Sequence, residues 1–395
     1  MRGPHNILRL IRTGATLERT GAMPVILNAL DAPRTLKFAA RFIVWPFQFL
    51  GRRGDQSLPP APRALTAMGP AYIKFGQILS TRPDVVGPEL AEQLRVLQDR
   101  LPPFSTDVAK QSFKSEIGLD ADDVFSDFSE PVAAASIAQV HRGELKDTGQ
   151  SVAIKVLRPE IERAFQKDLD TFYFAARLVE FVSPKSRRLR PMDVIAHFDG
   201  VVRGELDLRL ESASASEFLA NIKEDKGFSV PSVNWSLSSR RVMTLDWADG
   251  VPMGDVDALA AAGHNLSELG DRVLHMFLNH ALRDGFFHAD MHQGNLKVSS
   301  SGDIVAFDFG IMGHIDEYTR RVYAEILFGF IKRDYKRVAQ VHFEAGYVPQ
   351  DQDVDEFARA LRAVGEPIFG MDASNISMGR LLSYLFEVTE RFGME

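Results

Sequence analysis

Residues 284–298 read DGFFHADMHQGNLKV, and residues 304–310 read IVAFDFG. Two short apolar runs on either side of a turn at 299–303 predict a pair of strands with polar residues at their ends. An Asn amide oxygen and an Asp carboxylate are hard ligands of the kind that Mg²⁺ prefers, and a further Asp can lie beside a phosphate under attack. We therefore predict that Asn295 and Asp308 hold a metal ion and that Asp290 occupies the position of a catalytic base.

The order and spacing of these residues match the protein-kinase catalytic loop followed by Asp-Phe-Gly. An Asp-Phe-Gly alone would be weak, but here both pieces occur in order and at the right separation. An ordinary protein kinase is nevertheless disfavoured, because residues 311–316 read IMGHID and no Ala-Pro-Glu sequence follows.

The alternating residues His288, Asp290 and His292 offer another interpretation, a zinc hydrolase. Such a site needs further ligands, and the remaining histidines show no paired spacing. Packing of a turn is the ordinary role for histidines in such a loop, and it is the better interpretation of His292.

Composition narrows the class of protein. The chain has 395 residues, of which 45% are hydrophobic and 25% charged, as in a globular protein of two or three domains or of one large two-lobed unit. It has no cysteine, which excludes disulfide scaffolds, thiolate metal sites, thiol nucleophiles and iron–sulfur clusters. A net charge of −7 argues against a protein that coats nucleic acid, and we expect no nucleic-acid partner.

Two strands are predicted upstream, over Ala138–Leu145 and Val152–Leu157. In the second strand, Lys155 lies between Ile154 and Val156, so its side chain points to the opposite face from theirs. A solvated lysine is the ordinary interpretation, but this orientation also suits a lysine that contacts a nucleotide.

The segment before these strands is rich in alanine where a typical kinase is rich in glycine. An alanine loop cannot adopt positive φ cheaply, so we expect it to be stiffer and to hold phosphate differently. The candidate nucleotide-binding residues are Ala133, Ala134, Ala135, Ser136, Ile137, Ala138, Gln139, Val140 and Lys155.

Two helices carry charges in unusual positions. A helix over 62–81 has one apolar stripe, from which Lys74 and Gln77 point away. A long helix over 192–222 places Glu205 on its apolar face and Asp207 beside Glu211 on another face. A buried carboxylate needs a partner, which applies to Glu205 on its apolar face. We predict that Glu211 is the ion-pair partner of Lys155 and that Lys74 and Gln77 face these acids.

The N-terminal region is basic and aromatic. Residues 42–50 read FIVWPFQFL, which is too short for the roughly 20 residues that span a bilayer. Arg41, Arg52 and Arg53 flank this stretch. Two interpretations are equally weighted: a membrane-interface segment, or a buried helix end that is broken at Pro46.

Taken together, these residues resemble the UbiB protein kinase-like family, the atypical kinases of ubiquinone biosynthesis. Residues 74–77 match its Lys-x-Gly-Gln signature, and residues 205–207 match its Glu-x-Asp signature. The alanine-rich loop, Lys155 and the stretch 288–310 match its nucleotide-binding and catalytic parts. The resemblance runs from about residue 35 to the end, and the aromatic stretch near Trp45 is similar to bacterial members.

The resemblance implies an α+β, two-lobed protein-kinase-like fold with an N-terminal helical extension over the active site. It implies binding of ATP and Mg²⁺ and ATPase activity, without protein phosphorylation in trans. Catalytic roles then fall to Asp290, Lys155 and Glu211. Lys74, Gln77, Glu205 and Asp207 would be regulatory. The alternative is a chaperone-like module that binds quinone precursors and is switched by ATP.

The resemblance also sets expectations for organisation and location. We expect a membrane lipid or quinone-precursor ligand, ubiquinone-biosynthesis proteins as partners, and a place at the cytoplasmic face of the bacterial inner membrane. Bacterial members continue into a C-terminal anchor, so we expect a truncated C-terminal end. The predicted domains are a basic aromatic segment (1–60), the helical extension (61–121), an N-lobe with inserted helices (122–250) and an incomplete C-lobe (251–395).

Overall fold

The computed structural model describes residues 4–29, 34–81, 83–98, 103–182, 190–371 and 375–394. They divide into two compact units: residues 1–219 with 230–249, and residues 220–229 with 250–395. The predicted α+β class is confirmed, because the described chain contains many helices and separate small, mostly antiparallel sheets.

Up to residue 249 the described chain forms helices α1 to α12 and three 3₁₀ segments, Trp45–Leu50, Arg95–Gln98 and Trp235–Leu237. The helices are α1 (Pro4–Arg19), α2 (Ala22–Ala29), α3 (Arg34–Val44), α4 (Pro60–Met68), α5 (Pro70–Ser80), α6 (Pro83–Val86), α7 (Pro88–Leu94), α8 (Thr106–Ile117), α9 (Ala121–Val124), α10 (Ile161–Val182), α11 (Pro191–Glu205) and α12 (Leu208–Asn221).

Both long helices predicted in this region are interrupted. The helix predicted over 62–81 breaks at Gly69, which has φ +130° and precedes Pro70. Proline disfavours the α conformation in the residue before it, and glycine tolerates the positive φ. The helix predicted over 192–222 ends at Glu205 and restarts at Leu208, where Asp207 accepts a hydrogen bond from the backbone N–H of Arg209. Asp207 therefore does not share a helical face with Glu211.

The strands of the described chain belong to three sheets. They are β1 (Phe125–Ala134), β2 (Ala138–Leu145), β3 (Ser151–Leu157), β4 (Phe228–Ser229), β5 (Val242–Asp246), β6 (Val251–Pro252), β7 (Phe286–His288), β8 (Leu296–Val298), β9 (Ile304–Ala306) and β10 (Met312–His314).

The first unit contains an antiparallel sheet in the order β1-β2-β3-β5. The strands predicted over Ala138–Leu145 and Val152–Leu157 are confirmed as β2 and β3. Strand β1 was not predicted, because register shifts interrupt its pairing and Pro131 lies within it. Both features are tolerated at a sheet edge. Phe113, Phe125 and Ile154 belong to the core behind this sheet.

The second unit contains the four-stranded sheet β4-β9-β8-β6 and the pair β10-β7. Its core includes Tyr335, Phe357 and Phe392. Its helices are α13 (Val256–Ala261), α14 (Leu266–Asn279), α15 (Glu317–Ile331), α16 (Tyr335–Glu344), α17 (Val354–Gly365) and α18 (Met378–Arg391).

Two features bear on contact with a membrane. Among the described residues, no helix combines the length and the apolar character needed to cross a bilayer. The interpretation of residues 42–50 as a buried helix end is wrong, because Phe42, Trp45 and Phe49 are all exposed.

Candidate functional site

An ion pair joins β3 to α12 in the first unit. Ile154 and Val156 are fully buried on one face of β3, so Lys155 between them projects from the other face. Its Nζ lies 2.6 Å from Oε1 of Glu211, which is buried in the first turn of α12. The predicted ion pair is therefore present. It holds a lysine in a fixed position, as a lysine that contacts phosphates requires.

The alanine-rich segment is mostly strand. Ala133 and Ala134 end β1 and pair with Val140 and Gln139 at the start of β2. The loop predicted over 133–140 therefore shrinks to a turn of Ala135, Ser136 and Ile137, which we call the alanine turn. The Ala135 N–H donates to the Ala138 carbonyl at 2.8 Å. No residue of the turn has positive φ. Alanine is thus accommodated without backbone strain.

Arg158, directly after β3, holds the alanine turn from the first unit's own sheet. Its Nε and Nη2 donate to the Ala135 carbonyl at 3.1 and 3.0 Å, and its backbone N–H donates to the Ile137 carbonyl at 2.8 Å. The sequence reasoning missed this residue. The sequence does show a basic residue directly after a predicted strand. The partner of Arg158 is a backbone carbonyl, however, and the pattern of side chains in a sequence does not indicate backbone partners.

Gln77 connects α5 to the same turn. Its Oε1 accepts from the Ser136 hydroxyl at 3.3 Å, and its Nε2 donates to the Leu97 carbonyl at 2.7 Å. The amide is thus fixed from both ends. A movement of α5 would therefore displace Ser136. Through this contact the predicted regulatory residue Gln77 is connected to the candidate nucleotide-binding loop.

The side chain of Gln139 has a structural function in the sheet. It is fully buried, accepts from the Phe104 N–H at 3.0 Å and donates to the Phe104 carbonyl at 3.1 Å. Its Nε2 also lies 2.8 Å from Nε2 of His141. The side chain of Gln139 therefore holds the backbone of Phe104 in place. The sequence predicts instead that Gln139 contacts a nucleotide.

A second ion pair joins α5 to α11. Nζ of Lys74 lies 2.6 Å from Oε1 of Glu205, and the two side chains are only 15% and 9% exposed. The adjacent Phe75 packs edge-on against Phe198 of α11, with ring centroids 5.2 Å apart. The prediction that Lys74 faces an acidic residue of the second helix is therefore met by its ion pair with Glu205.

Asp207 is not part of that pair. Its carboxylate binds the guanidinium of Arg209, with Oδ2 and Nη2 2.6 Å apart, and this hydrogen bond lowers the pKa of Asp207. Its expected contact with Lys74 and Gln77 is replaced by this local pair, because the helix breaks at residues 206–207.

In the second unit, a buried histidine fixes two of the predicted catalytic segments. The Asp290 N–H donates to Nδ1 of His288 at 3.1 Å. Since a backbone amide can only donate, Nε2 carries the ring proton and donates to the Asp308 carbonyl at 2.5 Å. Burial lowers the pKa of His288, which favours this neutral form. His288 is a positioning residue that the sequence reasoning considered only as a zinc ligand or a packing group.

Asn295 and Asp308 lie at the same end of the β8–β9 hairpin, because Leu296 pairs with Ala306. Nδ2 of Asn295 donates to the Asp290 carbonyl at 3.0 Å, which orients the amide and its Oδ1. Oδ1 of Asp308 accepts from the Gly310 N–H at 3.1 Å. The Asp290 carboxylate is exposed. An amide oxygen and a carboxylate fit Mg²⁺, which takes few protein ligands when phosphates supply the others.

The zinc interpretation is not supported. Both ring nitrogens of His288 are used in hydrogen bonds to the backbone of Asp290 and Asp308. Nδ1 of His292 accepts from the Gly294 N–H at 3.0 Å, so this histidine caps a turn, as predicted. In the part of the chain that the structure describes, no three His, Cys, Asp or Glu side chains form a metal-binding group.

Comparisons with known proteins agree with this geometry. Residues 96–342 match the ABC1 atypical kinase-like domain, and residues 361–395 match the UbiB helical domain. A solved structure from Mycobacterium tuberculosis, of a protein in complex with erythromycin, shares the fold with a TM-score of 0.54 and 23% identity, over 81% of this chain and 88% of that one.

Curated relatives named "Probable protein kinase UbiB" extend the match. The protein from Marinobacter nauticus is 40% identical over 84% of this chain and 61% of its own length. The protein from Azotobacter vinelandii is 40% identical over 98% of this chain and 73% of its own length. The chain thus spans 61% of the length of the Marinobacter protein.

Proposed function

The chain belongs to the ABC1 atypical kinase-like family, and on that premise we propose that it is an ATP- and Mg²⁺-dependent atypical kinase or ATPase. The observation that carries the proposal is His288, which ties the backbones of Asp290 and Asp308 to one ring. This buried ring holds together the two segments that carry Asp290 and Asp308. Pre-positioned charges are the main way in which proteins accelerate phosphoryl transfer.

Each residue has a role in this proposal. Lys155, held by Glu211, would contact the α- and β-phosphates, and Asn295 and Asp308 would hold the metal ion. Mg²⁺ supplies neutralisation of the charge that develops on the phosphates. Asp290 accepts the proton of the attacking hydroxyl or water. The new bond joins that oxygen to the γ-phosphorus, the bond to the β-phosphate oxygen breaks, and ADP leaves.

We extend the proposal to the setting of this activity. The relatives' names and the family support a role in ubiquinone biosynthesis. The ligand would then be a membrane lipid or a quinone precursor, and the partners would be other ubiquinone-biosynthesis proteins at the cytoplasmic face of the bacterial inner membrane. The phosphoryl acceptor is a small or lipid-borne hydroxyl compound, or water.

Phosphate release by the purified chain tests the activity. We expect turnover of Mg²⁺-ATP that rises with vesicles and a phenolic quinone-precursor analogue. Lys155→Ala should lower turnover by about 100-fold, because it removes a fixed charge at the phosphates. Lys223→Ala, at an exposed lysine, is the matched control and should have no effect. Binding of ATP without any turnover would instead favour the ATP-switched, chaperone-like module.

The alanine turn provides a separate prediction. Ala135→Gly should alter nucleotide affinity by about two- to fivefold and raise autophosphorylation, because glycine frees φ in a turn that Arg158 otherwise holds closed. Titration with ATP and with ADP measures the effect, and Ala262→Gly, at an exposed helix end, is the control. Unchanged affinity for both nucleotides would show that this turn does not cover the phosphates.

A further inference from the structure

An aromatic stripe lies exposed on α3 and the 3₁₀ segment that follows it. Phe38, Phe42, Trp45 and Phe49 recur at spacings of four, three and four residues and are 73%, 69%, 69% and 74% exposed. The spacing within α3 places Phe38 and Phe42 on one face, and their rings stack with centroids 6.3 Å apart. Isolated exposed aromatic residues are common, but four of them within residues 38–49, each at least two-thirds exposed, mark a binding surface.

The stripe is built on a fixed base. At the end of the segment, the backbone of Gly51 packs so closely on α1 that a Cβ there would lie 2.4 Å from the Ala15 carbonyl oxygen. Nη1 of Arg19 donates to the Gly51 carbonyl at 2.8 Å, and the Arg52 N–H donates to Oγ1 of Thr16 at 3.1 Å. The aromatic side chains are therefore presented by an anchored segment, so little ordering is needed before they bind.

The charge of the segment indicates the chemistry of the partner. Residues 34–53 contain no Asp or Glu, although the whole chain carries a net charge of −7. The basic residues of this stretch are Arg34, Lys37, Arg41, Arg52 and Arg53. Basic side chains close to aromatic ones are typical of segments that bind at a membrane interface. There the cations can contact lipid phosphates while the aromatic rings reach the ends of the acyl chains.

We propose that residues 34–53 form an in-plane docking surface for an anionic phospholipid bilayer. The aromatic stripe enters the boundary between headgroups and acyl chains, and the exposed residues Arg34 and Arg53 contact lipid phosphates. This inference rests on the proposed membrane setting and adds to it the surface that binds and the lipid charge that it selects. It does not depend on nucleotide binding.

Vesicle co-sedimentation tests the docking surface. The probes are vesicles of phosphatidylcholine alone and vesicles with added phosphatidylglycerol. We expect the wild-type chain to prefer the anionic vesicles and to release them as salt rises. Phe38→Ser with Trp45→Ser should weaken vesicle binding by about 100-fold, because two large apolar side chains no longer insert.

Two controls distinguish this surface from a general effect. Trp235→Ser changes another exposed tryptophan, 52% exposed, and should leave vesicle binding unchanged. Arg34→Gln with Arg53→Gln, at two exposed arginines, should remove the preference for anionic vesicles while some binding through the rings persists. Because the substituted side chains are exposed, the melting temperatures of all variants should match the wild type.

Several outcomes would overturn the inference. Equal vesicle binding by the Phe38 and Trp45 double variant and the wild type would show that the stripe does not dock. Wild-type self-association without vesicles, lost in the double variant, would assign the stripe to a contact between copies. If the wild type ignores both kinds of vesicle but turns over Mg²⁺-ATP in their absence, the surface is wrong while the proposed phosphoryl chemistry stands.

Discussion

Asp308→Asn is expected to abolish Mg²⁺-dependent nucleotide binding. The substitution keeps the size of the side chain and the backbone carbonyl that His288 holds, but it removes the negative charge from the metal site. Mg²⁺ relies on charged oxygen ligands to offset the cost of losing its hydration shell, so we expect an affinity loss of about 100-fold or more. The measurement is ATP titration with and without Mg²⁺.

Asp303→Asn is the matched control for this experiment. Asp303 lies in the turn of the same hairpin, where its carboxylate accepts from the Ser301 hydroxyl at 2.7 Å. Its neutralisation changes the net charge equally but leaves the proposed metal ligands in place. If Asp308→Asn binds nucleotide with the same Mg²⁺ dependence as Asp303→Asn, then Asp308 is not a metal ligand.

Breaking the Lys74–Glu205 pair should have the largest effect on stability. The pair is short and mostly buried, so removing one partner leaves an uncompensated charge among apolar side chains. Such a loss costs about 3–5 kcal/mol. Lys74→Ala and Glu205→Ala should each lower the melting temperature, whereas the double variant should be less destabilised than the sum of the two. ATPase and autophosphorylation should change together, because α5 also carries Gln77, which holds Ser136.

An exposed pair serves as the reference for this cycle. Nη1 of Arg163 and Oε2 of Glu160 are 2.7 Å apart at the start of α10, and both side chains are largely exposed. Arg163→Ala should therefore cost only about 0–1 kcal/mol. Thermal unfolding and phosphate release for all variants complete the test. Strict additivity of the Lys74 and Glu205 effects would mean that the two residues are not energetically coupled.

Sequence reasoning reached the family and the α+β class, both of which are confirmed. It succeeded where the signal was local. Alternation of apolar residues predicted β2 and β3 and the side from which Lys155 projects. The principle that a buried carboxylate needs a partner predicted an ion pair for Glu205, and the predicted pairing of Lys155 with Glu211 is also present. Motif spacing singled out Asp290, Asn295 and Asp308 without any knowledge of their neighbours.

Backbone partners were beyond the reach of that reasoning. His288 binds an N–H at residue 290 and a carbonyl at residue 308, and Arg158 binds the carbonyl of Ala135. Every residue carries these backbone groups, so no residue type in the sequence marks them as partners. Their positions depend on how strands and turns distant in the chain come together.

Helix interruptions show the same division between local pattern and three-dimensional arrangement. The apolar stripe around Gly69 continues across α4 and α5 in the sequence, while the chain itself turns at φ +130° before Pro70. Asp207 was assigned by its distance from Glu211 along one helix, yet the break at residues 206–207 directs it to Arg209. The spacing of apolar residues predicts which side chains share a buried face of a helix. The break at Gly69 has a local cause, because Pro70 disfavours the α conformation in the residue before it. Which side chains then meet is decided by packing between the helices, since this packing buries whole apolar faces.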